Sequence, residues 1–413
     1  MYIICKEEER ILNTSINKYI RNIVVVLALV MAVAAFASCE GKNIGDLFAT
    51  PTPKVGEMGD QNTYAPMGQE SKDNNGITYV SNGNGTCTVV SIELSDKTTK
   101  LTIPSYSPDG DQVTVLSPRI LENQTNLKKV VLPKGLYTIS EYAFAGCTNL
   151  SEVNIPDTVI SIEQFAFSEC ISVKSVSLGE TLKVIGPSAF KDCNGLTKVS
   201  VPANVESLGK ECFAFCENLI EIEFNCKAQP DYTMILGCGN LHTLTLNMTS
   251  PVLLDSFAYN TTIKKVVLGD NILSVEESAF AGCHAIEEII VGKNVELLDN
   301  NCFYECDALK KVVFEGNSLV STGVGAFAYC VSLEEFEFPE GVESIGPKCF
   351  AGDLKLKKVH IPKAVTFVGE GAFSFCDSLT DVTYSGTEGE WKNLSIRDGN
   401  DFLINAKVSF IVK

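Results

Sequence analysis

A block of about 23 residues returns eleven times between Leu127 and Ser378. The first copy runs from Leu127-Lys-Lys-Val-Val-Leu-Pro133 to Ala143-Phe144-Ala145-Gly146-Cys147. The second begins at Leu150 and closes on Ala166-Phe167-Ser168-Glu169-Cys170, and others begin at Val173, Leu196, Leu219, Leu241, Ile263, Ile286, Leu309, Leu333 and Leu356. A fixed period of this size marks a stacked solenoid, because a single unit can bury its apolar face only against its neighbours. Such a stack offers a long open surface, whereas catalysis needs a water-excluding pocket, so the repeat turns the functional expectation toward surface recognition.

Each copy opens with apolar residues at its first, fourth and sixth places, as in Leu150, Val153 and Ile155, with polar residues between them. That alternation predicts a half-buried strand. Pro133, Pro156, Pro202, Pro339 and Pro362 then end the pairing, since proline has no N–H for the ladder. A second apolar pair, such as Val159 and Ile162, leads into the Ala-Phe step. Stacked copies give a parallel sheet with rungs about 4.8 Å apart. Phe144, Phe167, Phe190, Phe213, Phe257, Phe280, Phe303, Phe327, Phe350 and Phe373 form one core series, each preceded by Ala, Cys or Ser. A small place beside a large one suits tight interdigitation.

The pattern Leu-x-x-Val-x-Ile-Pro…Val-x-x-Ile…Ala-Phe-x-x-Cys resembles the BspA-like leucine-rich repeats of bacterial surface proteins. The resemblance covers 127–378, with a degenerate unit at 101–126 before it. The copies at 219–240 and 241–262 have 22 residues each, the first with Met234-Ile235-Leu236 in place of Ala-Phe, and the copy at 309 has one extra residue. The resemblance implies a mostly β leucine-rich repeat solenoid. It also implies adhesion to host matrix or epithelial proteins, or to other bacteria, with a protein or glycan macromolecule as partner. A structural or scaffold lipoprotein of the envelope is the competing expectation.

The N-terminus reads separately. Lys18 and Arg21 precede an apolar run from Ile23 to Ala37, followed by Ser38-Cys39. Fifteen residues fall short of the roughly 20 needed for a membrane span, and the pattern is that of a secretory signal peptide. Phe36-Ala37-Ser38-Cys39 resembles a lipobox, although Phe36 stands where leucine is usual. Residues 1–38 are therefore expected to be a lipoprotein signal peptide, with lipidation at Cys39. The only membrane contact is then the lipid anchor, and the protein is expected on the outer membrane, facing outward. Residues 39–75, rich in Gly, Pro, Asn and Thr, read as a disordered tether. Residues 76–100 are expected to form a β cap around the turn Asn82-Gly83-Asn84-Gly85, 101–378 the solenoid, and 379–413 a C-terminal cap holding Trp391, the one tryptophan.

Charge and chemistry narrow the function. With 51 acidic against 33 basic residues, the chain lacks the basic footprint of a nucleic-acid binder. No phosphate loop or nucleophile elbow is present, and His242, His284 and His360 are far apart, so no enzyme, cofactor or metal is expected. Cys212-x-x-x-Cys216 and Cys302-x-x-x-Cys306 are the small place and the closing place of single copies, not half of a zinc site. The closing cysteines should stack in register as free, buried thiols, because neighbouring rungs hold their Cβ atoms slightly too far apart for a disulfide.

On the outward strand places, Lys264-Lys265, Glu287-Glu288, Lys310-Lys311, Glu334-Glu335 and Lys357-Lys358 alternate in sign. Opposite charges on adjacent strands favour one register. Beside them Val267, Ile290 and Val313 occupy an outward place that other copies fill with Asn154, Ser177, Glu223 or Glu337. An apolar stripe rimmed by charge is a usual recognition feature, although strand propensity alone also selects such residues. Val267, Ile290 and Val313, with Lys265, Glu288 and Lys311, are thus the candidate ligand-binding set.

Overall fold

The computed structural model describes residues 64–412. The signal peptide, Cys39 and most of the tether lie outside the described residues. The rest is a parallel β-solenoid of about 14 turns. One wall, the front sheet, is built from the strand that opens each copy. It falls into ladders of three, six and four strands. The first spans Lys100–Thr102 to Glu152–Asn154, the second Lys198–Val201 to Lys311–Phe314, and the third Glu335–Glu337 to Lys407–Phe410.

The first interruption was not expected. Val173-Lys-Ser-Val-Ser-Leu178 has the strand pattern but joins no ladder, and a hollow of about 590 Å³ opens there, lined in part by Ser177, Glu180, Ser200 and Asn225. The second falls between Phe314 and Glu335, at the copy with the extra residue, which displaces the next strand from its partner.

A second wall consists of two-residue strands following the apolar pair. One series runs from Thr138–Ile139 to Ser207–Leu208, and another from Ser274–Val275 to Ser395–Ile396. Between them only the bridge Val252↔Val275 continues the pairing.

The third edge is the Ala-Phe step. All ten phenylalanines of the series are fully buried. Neighbouring rings stack with centroids 5.0–5.7 Å apart along 144–167–190–213 and again along 257–280–303–327–350–373. Buried Ile235 holds the phenylalanine place between the two runs, with Met234 in the small place before it. Backbone bonds accompany the rings: Phe144 N–H donates to Ala166 C=O at 2.8 Å, Phe280 N–H to Cys302 C=O at 2.9 Å, and Phe350 N–H to Ala372 C=O at 2.8 Å.

All fourteen described cysteines are buried and free. Nine closing cysteines donate Sγ–H to a main-chain carbonyl of the copy before, at 3.1–3.5 Å. For eight that acceptor is the series phenylalanine, and for Cys147 it is Leu121. Burial pushes seven of these thiols up, Cys193 and Cys283 to about 12, so they stay protonated and serve as small apolar groups with one weak donor. In the remaining pair the hydrogen bond between Cys216 and Cys238 raises the first and lowers the second.

Both ends are covered. Ile77–Ser81 and Thr86–Ile92 form the expected hairpin, whose second strand pairs in parallel with Gln112–Leu116. Glu70–Lys72, placed in the tether by its composition, instead pairs antiparallel with Thr78–Val80. A polar segment makes no core alone, but a preformed strand edge gives its backbone partners.

At the other end the ladders continue past residue 378. Asp381–Tyr384 pairs with Lys358–Ile361 and with Lys407–Phe410. Asn400 then closes the Ala-Phe edge: its buried Oδ1 accepts from Phe373 N–H at 3.0 Å, and its Nδ2 donates to the carbonyls of Gly369 and Arg397 at 2.9 and 2.8 Å. One side chain thus stands in for the backbone of a missing rung. Trp391 packs edge-on to Tyr384 with centroids 5.3 Å apart, under the last strands.

Asp353 breaks the thiol series. It holds the closing place of its copy, is fully buried, accepts from Cys330 N–H at 2.8 Å through Oδ1, and leaves Oδ2 without a partner among the described residues. Its counterparts donate to the phenylalanine carbonyl one copy earlier, here Phe327, and only a protonated carboxyl can do the same. Burial raises this carboxyl well above its ordinary 3.8. The folded state then keeps a proton that the unfolded chain has released, so stability falls as pH rises above 3.8 toward the raised folded value. Asp353→Cys should therefore raise Tm at pH 7 and give a smaller gain at pH 4. Thermal melts at the two pH values check this, and an equal gain at both would show that the carboxyl's ionisation is not the cause.

Candidate binding surface

The front strands turn alternate side chains outward, and the register decides which meet. Strand Lys265–Leu268 pairs with Glu288–Val291 so that Lys265 faces Glu288 and Val267 faces Ile290. The next pairing sets Glu288 against Lys311 and Ile290 against Val313. All six candidate residues therefore come together on three successive rungs, as two parallel files.

The charged file is closed upon itself. The Glu288 carboxylate takes Lys265 Nζ at 2.7 Å and Lys311 Nζ at 2.8 Å. The hydrogen bonds from Lys265 and then Lys311 hold it below the usual carboxylate range. The outer file repeats the pairing, with Lys310 to Glu287 at 2.7 Å and further along Lys357 to Glu334 at 2.7 Å, while Lys358 to Glu335 at 2.8 Å continues the inner file. These ions stitch rung to rung, as their alternating signs predict.

The apolar file is half-buried rather than protruding. It gives way to Thr245 and Glu223 on one side. On the other it ends at the ladder break, where a hollow of about 540 Å³ is lined by Lys311, Val313, Phe314, Glu335 and Glu337 among others. The result is a shallow apolar band between neutralised charges.

The Ala-Phe edge carries a feature that the sequence reading missed. Two residues after each series phenylalanine the backbone is left-handed, and Phe215, Tyr259, Tyr329 and Phe375 hold that place with exposed rings. On the rungs that follow the first three stand Gly237, Gly282 and Gly352 at positive φ. A Cβ on Gly282 would lie 2.5 Å from the Tyr259 ring, and one on Gly237 2.4 Å from the Phe215 ring. Glycine is needed there both for its dihedral and for the space the ring takes. The alternation of ring and glycine at one repeat place was the signal available.

Between Gly237 and Tyr259 the edge opens into a cleft of about 740 Å³. There Tyr232–Ile235 form a 3₁₀ turn, capped by Asp231 accepting from Thr233 N–H at 2.8 Å.

The histidines remain apart. His284 Nδ1 lies 2.9 Å from the Asp307 carboxylate, and His360 Nε2 lies 3.2 Å from Ser385 Oγ. Among the described residues no group of three or more His, Cys, Asp or Glu is arranged to hold a metal ion. No helix among them is long and apolar enough to cross a membrane.

This geometry defines a leucine-rich repeat solenoid. The model of the BspA-type leucine-rich repeat region matches residues 114–247 and 253–380 in six copies. The chain belongs to that family, whose repeats generally mediate protein–protein interactions. Among solved structures it is similar to a leucine-rich repeat protein from Bacteroides ovatus, at 24% identity over 81% of this chain and 98% of that one, TM-score 0.37. A leucine-rich cell surface protein from Faecalibacterium prausnitzii matches at 20% identity over 79% and 97%, TM-score 0.32. A leucine-rich repeat protein of T. pallidum matches at 21% over 66% and 91%, TM-score 0.34. No curated protein matches the sequence.

If the ions act as register stitches, their worth is that of partly solvated pairs. Glu288→Gln should lower stability by under about 1 kcal/mol, discounted for solvent screening, with the loss shrinking in high salt. Glu288→Lys should cost more, because it sets three like charges in a row. Denaturant melts at low and high salt compare the two variants; equal losses would mean that charge does not set the register here.

Proposed function

We propose that this chain is a lipid-anchored envelope protein that displays its solenoid outside the outer membrane and acts as an adhesin. Its ligand on this reading is a protein of the host matrix or epithelium, met by the front sheet. One observation carries the reading: Val267, Ile290 and Val313 stand in register on an open sheet face whose neighbouring ions are already paired with one another. A partner seated on this band removes apolar surface from water without stranding a lone charge, which is the costly event in interface formation. The anchor rests on Cys39 at the end of the apolar run. The binding needs no cofactor and no catalytic group.

The test has two arms. In the first, binding to surfaces coated with matrix proteins is compared for the parent and Ile290→Glu, a change that places a charge in the middle of the band. A loss of about tenfold or more is expected, the effect of one central contact residue, with Tm unchanged; undiminished binding would sink the front-sheet reading. In the second, proteinase is added to intact cells carrying the parent or Cys39→Ala. Cleavage of the parent, with release of the variant, is expected. Protection until the envelope is opened would favour an inward-facing scaffold.

A further inference from the structure

We infer that the cleft beside Tyr259 is a binding site for a neutral glycan, separate from the front sheet. The cleft exists because the repeat is broken there. Two successive copies have 22 residues, and Met234-Ile235-Leu236 replaces the Ala-Phe step. The 3₁₀ turn that results puts Tyr232 on the surface, half exposed at 50%, on the rung before Tyr259, which is 74% exposed.

Tyr259 is a fixed platform. Its backbone is left-handed, at φ 61°, its N–H donates to Ala281 C=O at 2.7 Å, and its ring lies over Gly282 on the following rung. On the preceding rung stand Gly237 and Gly239, which offer no side chain to fill the space. The cleft therefore has an aromatic wall, glycine backbone at 237 and 239, and the exposed Leu236 side chain beside them. The left-handed backbone is common to this place in every copy, so here it serves only to set the direction in which the ring leaves the edge.

The polar lining selects among ligands. Asp255, Asn260, Thr261 and Thr262 border the cleft, with no Lys, Arg or His in the lining. Asn260 Oδ1 is engaged by the N–H groups of Thr262 and Ile263, both at 2.9 Å, which holds its amide in place and leaves Nδ2 without a partner among the described residues. The hydroxyls of Tyr232, Tyr259 and Thr261 and the Asp255 carboxylate likewise have none there.

A sugar ring has an apolar C–H face and a rim of hydroxyls that both donate and accept. Exposed tyrosines answer the face, and an amide, a hydroxyl and a carboxylate answer the rim. Without a cation in the lining, an acidic sugar would be disfavoured. An apolar peptide would leave this polar rim desolvated and unpaired.

The probe experiment uses the full chain in detergent micelles and ligand-observed saturation-transfer NMR. The ligands are hexasaccharides of β-1,4-glucose, β-1,3-glucose, α-1,6-mannose and β-1,4-N-acetylglucosamine, with sialyllactose and tetramethylammonium for contrast. At least one neutral hexasaccharide should bind. Tyr259→Ala and Tyr232→Ala should each weaken it by about tenfold, as loss of one well-packed contact does. Both tyrosines are largely exposed, so Tm should stay within a degree or two of the parent. Ile290→Glu should leave the saccharide affinity unchanged, which separates this site from the front sheet. The inference is overturned if none of the four hexasaccharides binds, if sialyllactose or tetramethylammonium binds more tightly, or if both tyrosine variants bind like the parent.

Discussion

In this molecule the nearest neighbour of most side chains is the equivalent side chain of the next copy, one rung away. Everything else follows from what tolerates being stacked upon itself at a spacing of about 4.8 Å. Aromatic rings do, and ten phenylalanines form two offset stacks. The nine closing thiols do, because each can turn its proton to a carbonyl of the copy before. Like charges stack poorly, and between Lys265 and Lys358 the outward ions reverse sign from rung to rung and close into pairs. Asp353 is the one carboxyl placed in the buried series. Its isolation from other carboxylates on that edge is as telling as its burial.

The architecture was legible in the sequence because repetition supplies its own alignment. Once Leu150 is matched to Leu127, the partner of every strand residue is known, and the meeting of Val267, Ile290 and Val313 follows without coordinates. What stayed hidden depends on single events. Asn400 looks like any loop asparagine, and only the stranded Phe373 N–H reveals what its side chain does. Glu70–Lys72 becomes a strand because an edge awaits it, which no local property records. The cleft at Tyr259 needs the 3₁₀ turn, and the sequence announced only that the Ala-Phe step was absent there.

The departures from the repeat are where distinctive surface arises. A perfect copy presents the same outline at every rung and has no preferred place for a partner. Two short copies open the cleft, and one long copy ends the apolar band at a hollow between Phe314 and Phe338. Buried Ile235, with Met234 beside it, keeps the interior filled where the ring is missing, so the irregularity reaches the surface without leaving a void in the core. Change of length, more than change of composition, is what individualises this solenoid.

The interruptions also have an arrangement. The front ladder lapses at 175–178 and again after 314, and at both heights the second wall and the phenylalanine stack run through unbroken. The second wall and the stack lapse together between 208 and 257, and there the six-stranded front ladder is continuous. The joints are staggered like those of coursed masonry. Among the described residues no cross-section passes through a gap in all three walls at once. A pull along its axis would be carried past each flaw by the courses on either side.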